Sequence, residues 1–247
     1  MTHLAVLLCA GGGTRLRPLT DDRPKALIDV GGETILGRAA RLLVAAGIDL
    51  LVIATGYRAE SVRVALAGSE IGVSFCHNAD FESTQNSVSL YRCAEVLDGR
   101  SFFKLDGDLL FHPEVIARLE RDPGPLSVAV DARAILGAEE MKVIAEGNVI
   151  RAFGKELEPA TSSGESIGIE RIEEGASTEL FRALARASRA GRTGLYYEDV
   201  YGELIAEGLV ARAVDVSDLP WTEIDTPEDL ANARKLVGEG RLDLRNG

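Results

Sequence analysis

Little in this sequence points to covalent stapling, membrane insertion or nucleic-acid binding. It has only three cysteines, Cys9, Cys76 and Cys93, an odd number at wide spacing. That argues against a disulfide framework and a zinc cluster, and predicts buried or half-buried, reduced thiols. No apolar run approaches the length that spans a membrane, and no charged segment with an apolar one behind it opens the chain. A cytoplasmic protein without membrane contact is expected. Lys and Arg number 27 against 39 Asp and Glu, for a net charge of −12, so a nucleic-acid-binding face is not expected either. Pro/Ser-rich linkers, low-complexity tracts and internal repeats are missing. So is any Ser-His-Asp or Cys-His constellation, which suits chemistry that needs no nucleophilic side chain.

What the chain does have is a basic, glycine-rich stretch near its start. Leu8 to Lys25 reads L-C-A-G-G-G-T-R-L-R-P-L-T-D-D-R-P-K. It follows an apolar run, residues 3–8, that reads as a buried strand. Gly11, Gly12 and Gly13 let the backbone turn and approach a ligand closely. Arg15, Arg17, Arg23 and Lys25 follow within a dozen residues. Strand, glycine turn and clustered cations predict a polyphosphate site, with backbone N–H groups on the oxygens and cations balancing their charge. The Walker A pattern is excluded because no Lys-Ser or Lys-Thr follows the glycines. The dinucleotide fingerprint is excluded because Leu16 stands three after Gly13.

At 247 residues and 46% hydrophobic, the chain has ample core for one large α/β domain. Strands over 50–54, 73–76, 101–105 and 126–130 alternate with helices over 35–46, 59–67, 86–97 and 113–121. This order predicts a mostly parallel, Rossmann-like sheet flanked by helices. From about 131 the pattern changes to short alternating strands, 141–145, 148–153 and 166–169, expected as a small inserted β subregion over the crevice. A strand over 210–216 precedes Thr226-Pro227-Glu228-Asp229, a strong helix start. Residues 1–130, 131–225 and 226–247 are therefore read as two halves and a C-terminal helix with a frayed tail of about ten residues.

Two carboxylate groupings stand at strand ends, where open α/β sheets bind ligands. Asp106-Gly107-Asp108 closes the strand at 101–105. It reads as a turn or as a metal-binding pair. Asp225 precedes the cap at Thr226 and has no capping role, so it reads as a second metal ligand. Asn86 reads as an N-cap worth about 1 kcal/mol, or, with Gln85 and Ser89, as a reader of a nucleobase edge. Glu198 and Asp199 open a helix after Tyr196, and either favour its dipole or face a ligand. The tyrosines at 196, 197 and 201 read as core or rim rather than a cation cage.

The run L-C-A-G-G-G-T-R-L-R-P-L-T with a downstream P-K-A-L resembles the nucleotidyltransferases that activate sugar phosphates and small alcohol phosphates. Cys9 stands where the common form L-A-A-G-x-G-T-R-L has a small residue. N-x-x-S-L at 86–90 and W-T-E-I-D-T-P-E-D at 221–229 resemble the cytidylyltransferase branch that acts on phosphocholine, inositol 1-phosphate and phosphonates. The resemblance implies a Mg²⁺-dependent enzyme that transfers CMP from CTP and releases pyrophosphate. Ala10, Gly11, Gly12, Gly13, Thr14, Arg15, Lys25, Gln85, Asn86, Ser89 and Asp106 would bind the nucleotide, and Asp108 and Asp225 the magnesium. Lys155, Glu165, Gly168, Glu198 and Asp199 would meet the acceptor, with Lys142 a weaker candidate. Arg15, Lys25 and Lys155 would carry catalysis. The alternatives are a UTP-, dTTP- or GTP-dependent enzyme acting on a sugar 1-phosphate, or a non-catalytic nucleotide-binding module.

Overall fold

The strand expected before the glycine loop is β1 (Leu4–Cys9), buried along almost its whole length. Apolar side chains on both faces let helices pack on either side of it. Then come α1 (Ile35–Ala45), β2 (Leu50–Thr55), α2 (Ala59–Ala65), β3 (Gly72–His77), α3 (Asn86–Tyr91), α4 (Ala94–Leu97) and β4 (Phe102–Asp106). They are followed by β5 (Leu109–Phe111), α5 (Glu114–Arg121), β6 (Leu126–Asp131), β7 (Lys142–Glu146), β8 (Val149–Gly154) and β9 (Gly164–Ile172). The chain continues through α6 (Glu174–Arg189), α7 (Tyr197–Ala206), β10 (Ala211–Asp215), β11 (Trp221–Glu223) and α8 (Pro227–Gly238). The computed structural model describes residues 2–242.

Nine strands form one sheet in the order β3-β2-β1-β4-β9-β6-β10-β8-β7. β3, β2, β1 and β4 are parallel, as the alternating pattern predicts. β9 runs antiparallel between β4 and β6, and β6 and β10 are parallel again. The expected inserted subregion is therefore joined to the main sheet: β9 is central, while β7 pairs with β8 and with the start of β9. Strands β9, β6, β10, β8 and β7 close a ring, which leaves β7 no open edge. Alternation alone does not name a strand's neighbours, so this arrangement was not legible in it.

Two apolar layers cover the sheet. Leu90, Leu180, Phe181 and Val200 from α3, α6 and α7 pack on one face. Leu36, Leu43, Val62 and Ile116 from α1, α2 and α5 pack on the other. The predicted helix over 86–97 is two pieces, with a turn at Arg92 and Cys93. Leu90, Cys93 and Leu97 are all fully buried, and that helical spacing concealed the break. All three cysteines are free and buried, as expected.

The C-terminal helix starts as read. The Thr226 N–H donates to Asp229 Oδ2 at 2.7 Å and the Asp229 N–H to Thr226 Oγ1 at 3.2 Å. The tail is a partial correction. Leu242 is fully buried against α8, and Arg38 Nη2 donates to its carbonyl at 2.8 Å, so residues up to 242 are packed. The rest of the expected frayed tail, 243–247, lies outside the described residues. Among the described residues no helix is long and apolar enough to cross a membrane.

Candidate active site

A cavity of about 570 Å³ opens beyond the carboxyl ends of β1 and β4. Gly11, Gly13, Thr14 and Arg15 form one wall. Gly13 sits at φ 59°, and a Cβ there would lie 2.9 Å from Lys25 Cβ, so only glycine lets the loop close onto Lys25. Of the four cations, Arg15 and Lys25 line the cavity. Arg17 pairs with Asp21 and Arg23 with Asp22, both exposed.

Opposite the loop stands a carboxylate trio. β5 and β11 form a separate antiparallel ribbon with Glu223 across from Leu109, and the Ile224 N–H donates to the Asp108 carbonyl at 3.1 Å. This ribbon brings Asp108 and Asp225 together across the whole chain. An oxygen from each of Asp108, Glu223 and Asp225 lies within 4.8 Å of the others. Lys25 Nζ bridges the two aspartates, 2.6 Å from Asp108 Oδ2 and 2.5 Å from Asp225 Oδ1, and Arg15 also donates to Asp225. Burial opposes the Lys25 charge, but Asp108 and Asp225 outweigh it and hold the ammonium above its ordinary value. Burial, with Asp108 and Asp225 alongside, pushes Glu223 up to about 9. Asp108 Oδ1 is buried without a hydrogen-bond partner. Three clustered carboxylates with one orphaned oxygen fit a hard divalent cation, which takes oxygen ligands and needs only one or two carboxylates beside phosphate and water.

Glu223 was missed. Trp221, Glu223 and Asp225 alternate onto the cavity while Ile224 is buried beneath, so a period of two would have found it.

Below the cavity floor lies a second ionic group that sequence reasoning also missed. Lys104 and Glu170 face each other in register on β4 and β9, and both are fully buried. Lys104 Nζ lies 3.1 Å from Asp106 Oδ1, 3.1 Å from Glu170 Oε2 and 3.4 Å above the centre of the Tyr197 ring. The contact with Glu170 is close enough for ion pairing but not directed as a hydrogen bond, so neither Glu170 oxygen receives one. Asp106 Oδ2 accepts from Tyr197 Oη at 2.8 Å. A lysine inside Phe102-Phe103-Lys104-Leu105 was the available signal, because buried lysines are rare unless paired.

The expected acceptor residues divide. Lys155, Glu165, Gly168 and Glu198 line the cavity. Lys155 lies 5.2 Å from the Tyr196 ring centre and 3.6 Å from Glu139. Burial, with Glu140 and Asp131 nearby, pushes Glu165 up to about 7. Asp199 does not line the cavity; its Oδ2 accepts from the Tyr196 N–H at 2.8 Å and caps α7. Lys142 is buried and donates to the carbonyls of Glu140 and Lys155, a structural role. Tyr197 and Tyr201 are core, as read.

The expected nucleotide residues divide too. Gln85, Asn86 and Asp106 line the cavity with the loop. Asn86 is not the N-cap; Gln85 holds that position, and Asn86 Oδ1 instead accepts from the Tyr197 N–H at 3.0 Å. Ser89 is buried behind the wall and accepts from Asn78 Nδ2 at 3.0 Å, so it does not face a base. Ala10 and Gly12 also stand back from the cavity, where the Ala10 carbonyl accepts from the Tyr57 N–H.

An α/β sheet whose carboxyl edge holds a glycine loop, cations and clustered acids defines the nucleotide-handling class of doubly wound proteins. Within it the chain belongs to the MobA-like NTP transferase domain family, which residues 5–152 match. It is 31% identical over 94% of its length to a bifunctional IPC transferase and DIPP synthase of Rubrobacter xylanophilus. It is equally 31% identical, over 93%, to a CMP-5'-(3-aminopropyl)phosphonate synthase of Streptomyces rubellomurinus. It spans 51% and 38% of the length of those relatives. Its fold is shared with the inositol-1-phosphate CTP transferase from T. maritima, at TM-score 0.82, 22% identity and 97% of both chains.

Proposed function

We propose that this protein is a cytidylyltransferase that transfers CMP from CTP to the phosphate or phosphonate of a small acceptor and releases pyrophosphate. The observation that carries the reading is the meeting of the glycine loop, Lys25 and the Asp108–Glu223–Asp225 trio in one cavity. The preference for CTP and for this acceptor class rests on the likeness to the relatives named above.

The loop backbone and Arg15 cradle the β- and γ-phosphates, and Lys25 lies along the path to the α-phosphate. Asp108, Glu223 and Asp225 would hold Mg²⁺. When bound, that ion neutralises phosphate charge and makes the α-phosphorus more electrophilic. Lys155 holds the acceptor's phosphate on the opposite side, so that its oxygen lies in line with the departing pyrophosphate. No side chain need form a covalent intermediate, since positioning and charge neutralisation supply most of the catalysis in phosphoryl transfer.

The test is pyrophosphate release, with CTP, UTP, dTTP, GTP and ATP crossed against phosphocholine, inositol 1-phosphate, 2-aminoethylphosphonate and glucose 1-phosphate. Release with CTP is expected. Release only with another nucleotide would overturn the base assignment. Asp225→Asn should lower turnover at least about 100-fold in a folded protein, as losing a transition-state charge partner does. Retained turnover would sink the acid trio's role.

A further inference from the structure

The acceptor end of the cavity holds buried oxygen atoms with no donor. Glu198 is 5% exposed and its Oε2 has no hydrogen-bond partner. Ser166 is 6% exposed and its Oγ has none either. Both residues line the cavity. They also share a face of the sheet. Ser166, Gly168 and Glu170 alternate along β9; a Cβ at Gly168 would meet Asp106, which is bonded to Tyr197 beside Glu198. A buried oxygen left without a donor costs about 1–3 kcal/mol, so these two suit a donor that arrives with the ligand.

The arrangement of carboxyl groups points the same way. Lys104 lies among Asp106, Glu170 and Glu198, but its ammonium is 3.1 Å from Asp106 Oδ1 and 3.1 Å from Glu170 Oε2, so Glu198 has no cation of its own. We propose that the acceptor carries a primary ammonium group besides its phosphate or phosphonate, and that Glu198 and Ser166 receive this ammonium; the proposal rests on the transferase reading above. In the free protein burial pushes the Glu198 carboxyl up to about 7, with Asp106 adding to it and Lys104 opposing. An arriving cation would favour the carboxylate.

Two other headgroups fit less well. A neutral polyol supplies donors but brings no cation to Glu198. A quaternary ammonium has no N–H for either oxygen and is best held by an aromatic cage. The nearby rings already face cations of the chain, Tyr197 beneath Lys104 and Tyr196 beneath Lys155. The proposed class is therefore the short ω-aminoalkyl phosphonates or phosphates.

The test compares 2-aminoethylphosphonate with n-propylphosphonate, a probe of similar length with methyl in place of ammonium. Calorimetric titration of each into the full chain with Mg²⁺ should show at least about tenfold tighter binding of the amine, the scale of a charge-assisted hydrogen bond. Glu198→Gln should bring the ratio close to one. Ser166→Ala, which removes no hydrogen bond within the fold, should lower it and guards against a folding defect in the first variant. Equal binding of the two probes, or tighter binding of the trimethylated amine, would overturn the proposal. Pyrophosphate release with CTP is measured alongside. Equal turnover of both probes would sink the ammonium site and leave the transferase reading standing. An amine preference in binding with no turnover of any acceptor would uphold the ammonium site and sink the transferase reading.

Discussion

Glu170 offers a test of whether the buried ionic group stabilises the fold or is tolerated by it. The residue is fully buried, with both carboxylate oxygens lacking hydrogen bonds and Lys104 shared with Asp106 and Glu198. Burial is the largest influence and Lys104 only partly offsets it, so the carboxyl is pushed from an ordinary 4.5 up to about 8. The sign follows. Between those two values the folded state holds one proton that the unfolded state has released, so stability falls as pH rises, by about 1.4 kcal/mol per pH unit. At pH 7 the accumulated cost is about 3 kcal/mol. Glu170→Gln keeps the shape and never ionises. The variant should match the wild type near pH 4.5 and lead it by about 3 kcal/mol at pH 7, with no further gain above pH 8. Urea unfolding of both proteins at pH 5, 6, 7 and 8 isolates the difference from every other titrating group. A lead that stays constant with pH, or a variant that loses ground as pH rises, would mean that Glu170 is ionised and that its pairing with Lys104 dominates.

Two further substitutions test packing around the site and at the tail. Gly168 has φ 76° and a Cβ there would collide with the Asp106 carboxylate, so Gly168→Ala should cost about 2–3 kcal/mol in urea unfolding; a loss below about 1 kcal/mol would show that Asp106 moves aside freely. Leu242→Ala removes a fully buried side chain and should cost about 2–3 kcal/mol in the same assay, whereas an unchanged midpoint would show that the tail does not pack in solution.

How much was legible depended on how local the signal was. The glycine loop, Lys25 and the Thr226 cap lie within a few residues of the features that define them; the loop and Lys25 line the cavity, and the cap forms as read. Asp108 and Asp225 each follow a strand, and they meet beside Glu223 across the β5–β11 ribbon. Glu223 is marked only by the alternation that leads up to Asp225, not by the strand end itself. Lys104 and Glu170 are 66 apart in sequence and meaningful only as a pair. Their register is set by β9 returning between β4 and β6, a pairing that no local pattern announces. Ser89 and Asp199 stand outside the cavity for the opposite reason. Both sit in helix-opening stretches similar to ligand-contacting ones, but buried packing claims the first and a helix cap the second.

The central placement of β9 explains why the two ends of the cavity differ in character. In a simple doubly wound sheet β6 would lie beside β4, and the crevice floor would come from parallel strand ends alone. β9 enters from the opposite direction, so its beginning, not its end, lies at the carboxyl edge of its neighbours. Its first residues, Glu165, Ser166 and Gly168, therefore reach the cavity, while Glu170 two residues further is locked beneath the floor with Lys104. The end that holds the glycine loop and the acid trio is built from β1, β5 and β11 and does not depend on this strand. Changes at 165 and 166 should thus, on the proposed transferase reading, alter which acceptor is held without disturbing the glycine loop or the acid trio. Changes at 168 and 170 act on the floor that both ends share.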